Sequence, residues 1–304
     1  MPFDLKSYLL YYKEKVDGLL KKVIEMEPEP AKKVCEAMQY SLMAGGKRLR
    51  PILMISSAKA LGKDDFIVMP AACAIECIHT YSLIHDDLPA MDDDDLRRGK
   101  PTCHKAFNEA IAILAGDGLL TLAFEILSSS WVKEPWNLNK DIDPDLKLKA
   151  INLISKAAGI KGMVAGQCAD IETEGKPIEE QTLYYIHTHK TAAMIQVSLE
   201  AAAVLCGADE KTRKSLADFG FNLGLAFQIR DDLLDIEGDE KQIGKPVGSD
   251  LKKKKATYPA MFGIDGAKKR ANELIRNALD HIKDFGEGAT ALRKIAEYII
   301  YRNK

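Results

Sequence analysis

The chain has 304 residues, and 43 lysines and arginines against 45 aspartates and glutamates leave a net charge of −2. A balanced charge gives no reason to expect nucleic acid or an anionic membrane as a partner. The N-terminal segment lacks a cleavage-site pattern and the most apolar window is too short to cross a bilayer, so we expect a cytoplasmic protein that does not insert into a membrane.

Apolar residues recur at helical spacing along nearly the whole chain. Pro89 predicts the end of the helix before it, because proline disfavours the α region in the preceding residue. No convincing strand run and no Rossmann or P-loop glycine pattern is present. The sequence predicts an all-α fold in a single domain over residues 1–304, with helices at 4–25, 30–44, 51–61, 68–88, 102–115, 116–130, 146–168, 178–206, 210–236, 256–283 and 288–302.

An acidic cluster follows the fourth predicted helix. Asp86 and Asp87 come directly after apolar residues, then 92–95 is a run of aspartates, and Arg97 and Arg98 follow. Carboxylates at the end of a buried helix are costly unless they bind a cation. Oxygen ligands suit Mg²⁺, which shares its shell with substrate phosphates, and arginine gives phosphate planar donors. The cluster predicts a magnesium–diphosphate site, with a solvated acidic loop as the alternative.

A second acidic motif contains Asp231, Asp232 and Asp235 and again follows apolar helix. Asp231 and Asp235 are four residues apart, so they project from one face of the helix. Alone, the motif would be interpreted as an exposed helix end. Paired with the first motif, it predicts a second carboxylate wall that could hold Mg²⁺ and diphosphate, although the sequence leaves open whether the walls face each other.

The ordered motifs GGKRLRP, DDLPAMD, GMVAGQCAD, HKTAAMI, DDLLD and GKPVGSD resemble those of trans-isoprenyl diphosphate synthases, and of their bacterial farnesyl-producing members in particular. The resemblance implies an all-α bundle with its active site in a central cavity. It also implies a homodimer that joins an allylic diphosphate to isopentenyl diphosphate, with three Mg²⁺ per active site when diphosphate is bound. A lid over residues 238–256 is a further expectation.

The resemblance also implies roles for individual residues, which fall into four sets. The expected metal ligands are Asp86, Asp87, Asp92, Asp231, Asp232 and Asp235. The expected contacts to the allylic diphosphate are Arg97, Lys190, Lys245 and Lys255. The expected contacts to isopentenyl diphosphate are Gly46, Lys47, Arg50, His79 and Arg98. Beside the allylic cation we expect Thr191 and Gln228, which form the catalytic set with Lys190 and Arg97.

Product length is predicted from the helix before the first acidic motif. Tyr81 lies five residues before Asp86, and with Ser82 it resembles the stop of farnesyl synthases. The sequence therefore predicts condensation of isopentenyl diphosphate with dimethylallyl and geranyl diphosphate to a fifteen-carbon product. A geranylgeranyl synthase is the main alternative. A terpene cyclase and a non-catalytic subunit are further alternatives, but both acidic motifs are intact. Gln167 and Asp170 are expected either to support the metal site or to be structural.

Overall fold

The computed structural model describes residues 3–24, 28–139, 141–237 and 255–301. Within these ranges it is an assembly of helices, and the all-α prediction is confirmed. Its helices are α1 (Leu5–Val23), α2 (Lys32–Leu42), α3 (Leu49–Ala60), α4 (Met69–Asp86), α5 (Cys103–Ala106), α6 (Glu109–Ser128), α7 (Pro144–Ala158), α8 (Met163–Thr173), α9 (Glu180–Ile186), α10 (Ala193–Leu205), α11 (Glu210–Glu237), α12 (Tyr258–His281) and α13 (Thr290–Tyr301).

Five short elements complete the described part. Two 3₁₀ turns cover Asp65–Ile67 and Glu287–Ala289, and a π-helical segment, His187–Ala192, joins α9 to α10. Strands β1 (Leu96–Arg97) and β2 (Lys100–Pro101) form an antiparallel pair with Leu96 opposite Pro101. This small hairpin lies in the first acidic segment, where the sequence predicted no strand, because two-residue strands carry no detectable alternation.

Several predicted helix boundaries are wrong. The helices predicted at 102–115 and 116–130 are instead a single turn, α5, and one long helix, α6, which Asn108 begins by accepting a hydrogen bond from the Ile111 amide. The helix predicted at 146–168 is two helices, α7 and α8. A Cβ at Gly162 would lie 2.1 Å from the Ala157 carbonyl oxygen, so the chain turns sharply where only glycine fits.

Two helices, α4 and α10, form the centre of the core. Nearly all of α4 before its last turn is buried, and so is most of α10. Helix α4 packs against α6 and α3, while α10 packs against α11, α7 and α3, and α11 packs along α12. Because α4 ends at Asp86 and α11 carries Asp231, this packing brings the two acidic motifs to the same region of the molecule.

Helix α6 is the one described helix whose length and composition would allow it to cross a membrane, with a mean hydropathy of 1.9. Such a composition is also typical of a core helix in a protein that does not enter a membrane. Residues of α6 such as Ala112, Ala115 and Leu119 are fully buried, and α6 packs on α4 and α2. Only 39% of its apolar window is buried, so α6 joins the core by one face and leaves the other exposed.

Candidate active site

Both acidic motifs line one polar cavity of about 380 Å³. Asp86 and Asp92 of the first motif contribute to its lining, together with three aspartates of α11. The sequence left open whether the two carboxylate walls face a common space, and the structure shows that they do. The cavity is also lined by the predicted site residues Arg97, Lys190, Thr191, Gln228, Asp231, Asp232, Asp235 and Lys255.

The two consecutive aspartates at the end of α4 have different surroundings. Asp86 lines the cavity, and burial raises its pKa to about 6, with Asp92 adding to the effect and Lys190 opposing it. Asp87 is almost fully buried, and its carboxylate accepts from Arg97 Nε at 2.8 Å and from Nη2 at 2.5 Å. The structure therefore pairs a predicted metal ligand with a predicted diphosphate ligand.

Two lysines and two aspartates that line the cavity are paired in a chain of alternating charges. Lys190 donates to Asp170 Oδ2 at 2.6 Å, and Lys255 lies 3.4 Å from the same oxygen and 2.8 Å from Asp92 Oδ1. Burial opposes ionisation of Asp170, but the two lysines outweigh it and lower its pKa. Asp170 thus holds two ammonium groups at the cavity wall, which favours support of the site over a purely structural role.

Lys190 and Thr191 lie in the π-helical segment, which two glycines from neighbouring helices accommodate. A Cβ at Gly166 of α8 would lie 2.1 Å from the Lys190 amide nitrogen. A Cβ at Gly224 of α11 would lie 2.6 Å from Ala192 Cα. The wider turn of a π-helix therefore fits only because both neighbouring helices lack a side chain at the contact, and such segments are frequent at functional sites.

A chain of hydrogen bonds connects the π segment to the second acidic motif. Thr191 Oγ1 donates to Gln228 Oε1 at 2.7 Å, and Gln228 Nε2 donates to Asp232 Oδ1 at 2.9 Å. The other carboxylate oxygen of Asp232 accepts from the Tyr258 backbone amide at 2.9 Å. His187 Nε2 lies 3.4 Å from that oxygen, and burial lowers the pKa of His187 to about 4.

The aspartates that line the cavity suit a hydrated Mg²⁺ ion better than a metal ion held entirely by protein ligands. Among the residues the structure describes, no three histidine, cysteine or acidic side chains are close enough to hold one ion together. The carboxylates of both motifs instead line one cavity of about 380 Å³. Mg²⁺ commonly uses one or two carboxylates and completes its octahedron with water and substrate phosphate. The arrangement therefore suits ions that bind together with a diphosphate.

A second cationic group, formed by Arg50, Arg98 and the neighbouring His79, lies near the loop between α2 and α3. Its members share electrostatic interactions: burial and the charges of Arg50 and Arg98 lower the pKa of His79 far below its ordinary value. Arg98 also donates to the Gly45 carbonyl, and a Cβ at Gly46 would lie 2.6 Å from its guanidinium carbon. The predicted isopentenyl diphosphate contacts Gly46, Arg50, His79 and Arg98 are thus brought together.

Of the other predicted ligands, Lys47 lies apart from this group. Lys47 is exposed and lines a separate cavity of about 390 Å³ beside α1 and α13, although the adjoining Gly46 also borders that cavity. Lys245, and most of the predicted lid at 238–256, lie outside the described residues. Their predicted roles in binding diphosphate stay predictions.

Arg48, next to Lys47 in the same motif, was given no role from the sequence. Its side chain is fully buried, with Nε 2.7 Å from Asp17 and Nη1 2.7 Å from Glu76. Its backbone is left-handed, with φ of 52°. Glu76 was the available signal, because a lone carboxylate in an apolar helix needs a buried cation. This triad fixes the loop that carries the second cationic group.

An apolar cavity of about 470 Å³ adjoins the polar one. The two share Asp86, Lys190 and Thr191, so one runs into the other at the acidic end of α4. Tyr81 and Ser82 line the apolar cavity, as the product-length prediction requires, and Tyr81 is only 7% exposed. The other apolar lining includes Met91, Met163, Val164 and Ile171.

Known proteins resemble this chain over nearly its whole length. The model of the polyprenyl synthetase family matches residues 31–298. The chain is 51% identical to farnesyl diphosphate synthase of Geobacillus stearothermophilus, over 99% of this chain and 98% of that one. It is 43% identical to the large subunit 1 of the heterodimeric geranylgeranyl pyrophosphate synthase of Arabidopsis thaliana, over 99% and 80%. A solved FPP/GFPP synthase from Zymomonas mobilis superposes with a TM-score of 0.84 at 38% identity, covering 97% and 98%.

Proposed function

Because the chain belongs to the polyprenyl synthetase family, we propose that it is a prenyltransferase that condenses isopentenyl diphosphate with dimethylallyl and then geranyl diphosphate to farnesyl diphosphate. The observation that carries the proposal is the pair of joined cavities. One has carboxylates and lysines that suit metal-bound diphosphate, and the other has an apolar wall that suits a prenyl chain. The two meet at Asp86, where the reacting carbon would lie.

The polar side chains support ionisation of the allylic substrate. Arg97, Lys190 and Lys255 provide positive charge where the diphosphate leaves, and preorganised charge of this kind lowers the barrier to bond cleavage. Bound Mg²⁺ supplies further charge stabilisation to the same leaving group. The allylic C–O bond breaks, and its electron pair stays with the diphosphate. We propose that the Thr191 hydroxyl oxygen, held by its hydrogen bond to Gln228, lies beside the resulting cation.

Condensation then needs the second diphosphate held close to the first. Gly46, Arg50, His79 and Arg98 form the group that would bind isopentenyl diphosphate. The double bond of isopentenyl diphosphate attacks the allylic cation to form the new C–C bond, and the loss of a proton restores an alkene. The released diphosphate is the base we propose for that proton, so no side chain has to accept it.

For the metal, we propose that Asp86, Asp92, Asp231 and Asp235 bind up to three Mg²⁺ together with the diphosphate. In Asp87 and in Asp232, both carboxylate oxygens already accept hydrogen bonds from protein donors. Their contribution is to hold Arg97 and Gln228 in place. We therefore propose four of the six predicted aspartates as metal ligands.

We further propose one isoprenyl synthase domain over 1–304 in a cytoplasmic homodimer. Helix α6 exposes Ile113 and Leu114, each about half exposed, and α7 exposes Leu148 at 66%. Apolar side chains on neighbouring helices are typical of a surface that a second copy covers. The sedimentation coefficient of the purified protein tests this, and a monomer at micromolar concentration would contradict it.

The enzyme assay uses purified protein, Mg²⁺, isopentenyl diphosphate and dimethylallyl diphosphate, with products separated by chain length. We expect mainly the fifteen-carbon diphosphate, and no product after EDTA treatment until Mg²⁺ is restored. A mainly twenty-carbon product would keep the reaction but overturn the farnesyl assignment. Folded protein that condenses no allylic primer would reject the proposal and favour the non-catalytic alternative.

A further inference from the structure

His85 occupies a slot in helix α6 that only glycine can provide. A Cβ built on Gly116 would lie 2.0 Å from His85 Nε2 and 2.5 Å from Cδ2. Real Cβ atoms do not come this close to another heavy atom, so an alanine at 116 would displace the imidazole. The ring is also anchored there, because His85 Nε2 lies 3.1 Å from the Ile113 carbonyl oxygen of the same helix.

The anchored imidazole supports Tyr81, one turn earlier on α4. The two rings are 5.8 Å apart and meet edge to face at 77°. Residues four apart share a helix face, so both line the apolar cavity, while Gly116 lies behind the imidazole on α6. Aromatic side chains in such contacts restrict one another's orientation. The position of Tyr81 in the cavity therefore depends on where His85 is held.

We propose that the contact of His85 with Gly116 is a second determinant of product length, acting by fixing Tyr81 across the apolar cavity. This inference rests on the proposed function and deepens it. His85 is then a positioning residue: it contacts no reacting atom, and its effect reaches the product through the Tyr81 ring. The slot on α6 sets how far a growing prenyl chain extends along the wall formed by Tyr81, Met163 and Val164.

Gly116→Ala is the sharpest test, because it leaves every side chain of the cavity chemically unchanged. We expect the ratio of twenty- to fifteen-carbon product to rise by about tenfold, since added room for methylene groups in an apolar pocket changes discrimination by about 10- to 200-fold. Gly118→Ala is the matched control. Its Cβ would meet the flexible end of Met38, 2.8 Å away, and not the cavity wall. We expect its product to stay at fifteen carbons.

A double-variant cycle separates this mechanism from general damage. His85→Ala removes the ring, so it should also lengthen the product, and adding Gly116→Ala to it should cause no further change, because the two changes break the same contact. Circular dichroism and thermal unfolding report whether each variant folds, and the KM values for both diphosphates report on the adjacent acidic motif.

Two results would overturn the inference. One is an unchanged product ratio in folded, active Gly116→Ala and His85→Ala. The other is a ratio that shifts independently and additively in the two variants. Neither result bears on the condensation itself, which the unmodified protein tests. If the unmodified protein condenses nothing, the proposed function fails first, and the failure is recognisable because no product of any length is formed.

Discussion

The Thr191 hydroxyl and the Gln228 carboxamide form one polar unit, because Thr191 Oγ1 donates to Gln228 Oε1 at 2.7 Å. The bond engages the hydroxyl proton, so the oxygen faces other groups only as an acceptor, and both residues line the cavity. A neutral dipole with its negative end fixed stabilises a developing cation without reacting with it, and it needs no reorganisation when charge appears. Four of the five predictions that follow concern this cavity and its neighbour.

Replacing Thr191 by valine keeps the shape of the side chain and removes its hydroxyl. Gln228 Oε1 then loses its donor, and the cation loses the oxygen. We expect kcat to fall by about tenfold to hundredfold, with KM for both diphosphates nearly unchanged. Thr191→Ser, which keeps the hydroxyl, is the control and should stay near the original kcat. An unchanged kcat in Thr191→Val would remove the hydroxyl from the mechanism.

Asp232→Asn tests whether this aspartate binds metal or positions protein groups. Its two oxygens accept from Gln228 and from the Tyr258 amide, so an asparagine would direct an NH₂ group at another donor. We expect a lower kcat with an unchanged Mg²⁺ requirement. Asp231→Asn should instead raise the Mg²⁺ concentration needed for half-maximal activity. If both variants raise it equally, Asp232 is a ligand after all.

Tyr81→Ala should lengthen the product, since the largest side chain near the acidic end of the apolar cavity is removed. We expect the fifteen-carbon diphosphate to give way mainly to the twenty-carbon one. Tyr81→Phe keeps the ring and should keep the original product. Chromatography of the dephosphorylated products distinguishes these outcomes, and an identical distribution in both variants would show that the stop lies elsewhere.

The raised pKa of Asp86 predicts how metal binding depends on pH. Only the ionised carboxylate binds Mg²⁺, and burial raises this pKa to about 6. Affinity should therefore be constant well above pH 6 and fall as pH drops through that value, by about tenfold per pH unit. Titration of bound Mn²⁺, a spectroscopic substitute, measures it. Asp86→Asn should bind more weakly but without this step, and a step of the same size in the variant would assign it to another group.

Arg48→Leu should destabilise the protein without touching the proposed substrates. The change leaves Glu76, which is 2% exposed, without the cation 2.7 Å away. Breaking a buried ion pair on one side costs about 3–5 kcal/mol in free energy of unfolding, which urea denaturation measures. Arg48→Leu combined with Glu76→Leu should recover most of that loss. Equal destabilisation by the single and double variants would show that Arg48 acts through packing or through Asp17.

The sequence predicted most helices and the two acidic motifs because both have strong local signals. Apolar spacing reports the buried face of a helix, and a carboxylate run after an apolar helix is unusual enough to identify a cation site. The sequence could not predict which of several cationic side chains is buried in an ion pair. GGKRLRP offers Lys47, Arg48 and Arg50 on equal terms, yet only Arg48 meets Asp17 and Glu76, and that choice depends on packing between α1, α3 and α4.

The π-helical segment was likewise invisible in the sequence, because His187–Ala192 contains no proline or glycine to interrupt a regular helix. Its geometry comes from neighbours: Gly166 and Gly224 let the backbones of α8 and α11 approach it. The ion pair between Arg97 and Asp87 could not be predicted from the sequence either. Asp86 and Asp87 are adjacent and chemically identical, and only the position of Arg97 in the hairpin decides which of them is enclosed.

The wide turn at 187–192 makes the number of residues in this stretch a functional property in its own right. A π turn contains one residue more than an α turn. Removing one residue there would let the helix from α9 to α10 run straight, and side chains within the segment would move around the helix axis by up to about 100°. The apolar pattern of α10 and both acidic motifs would survive, while Lys190 and Thr191 would no longer point where they do. A relative that lacks this one residue would keep both acidic motifs and still have lost the lysine and threonine side chains from the wall of its polar cavity.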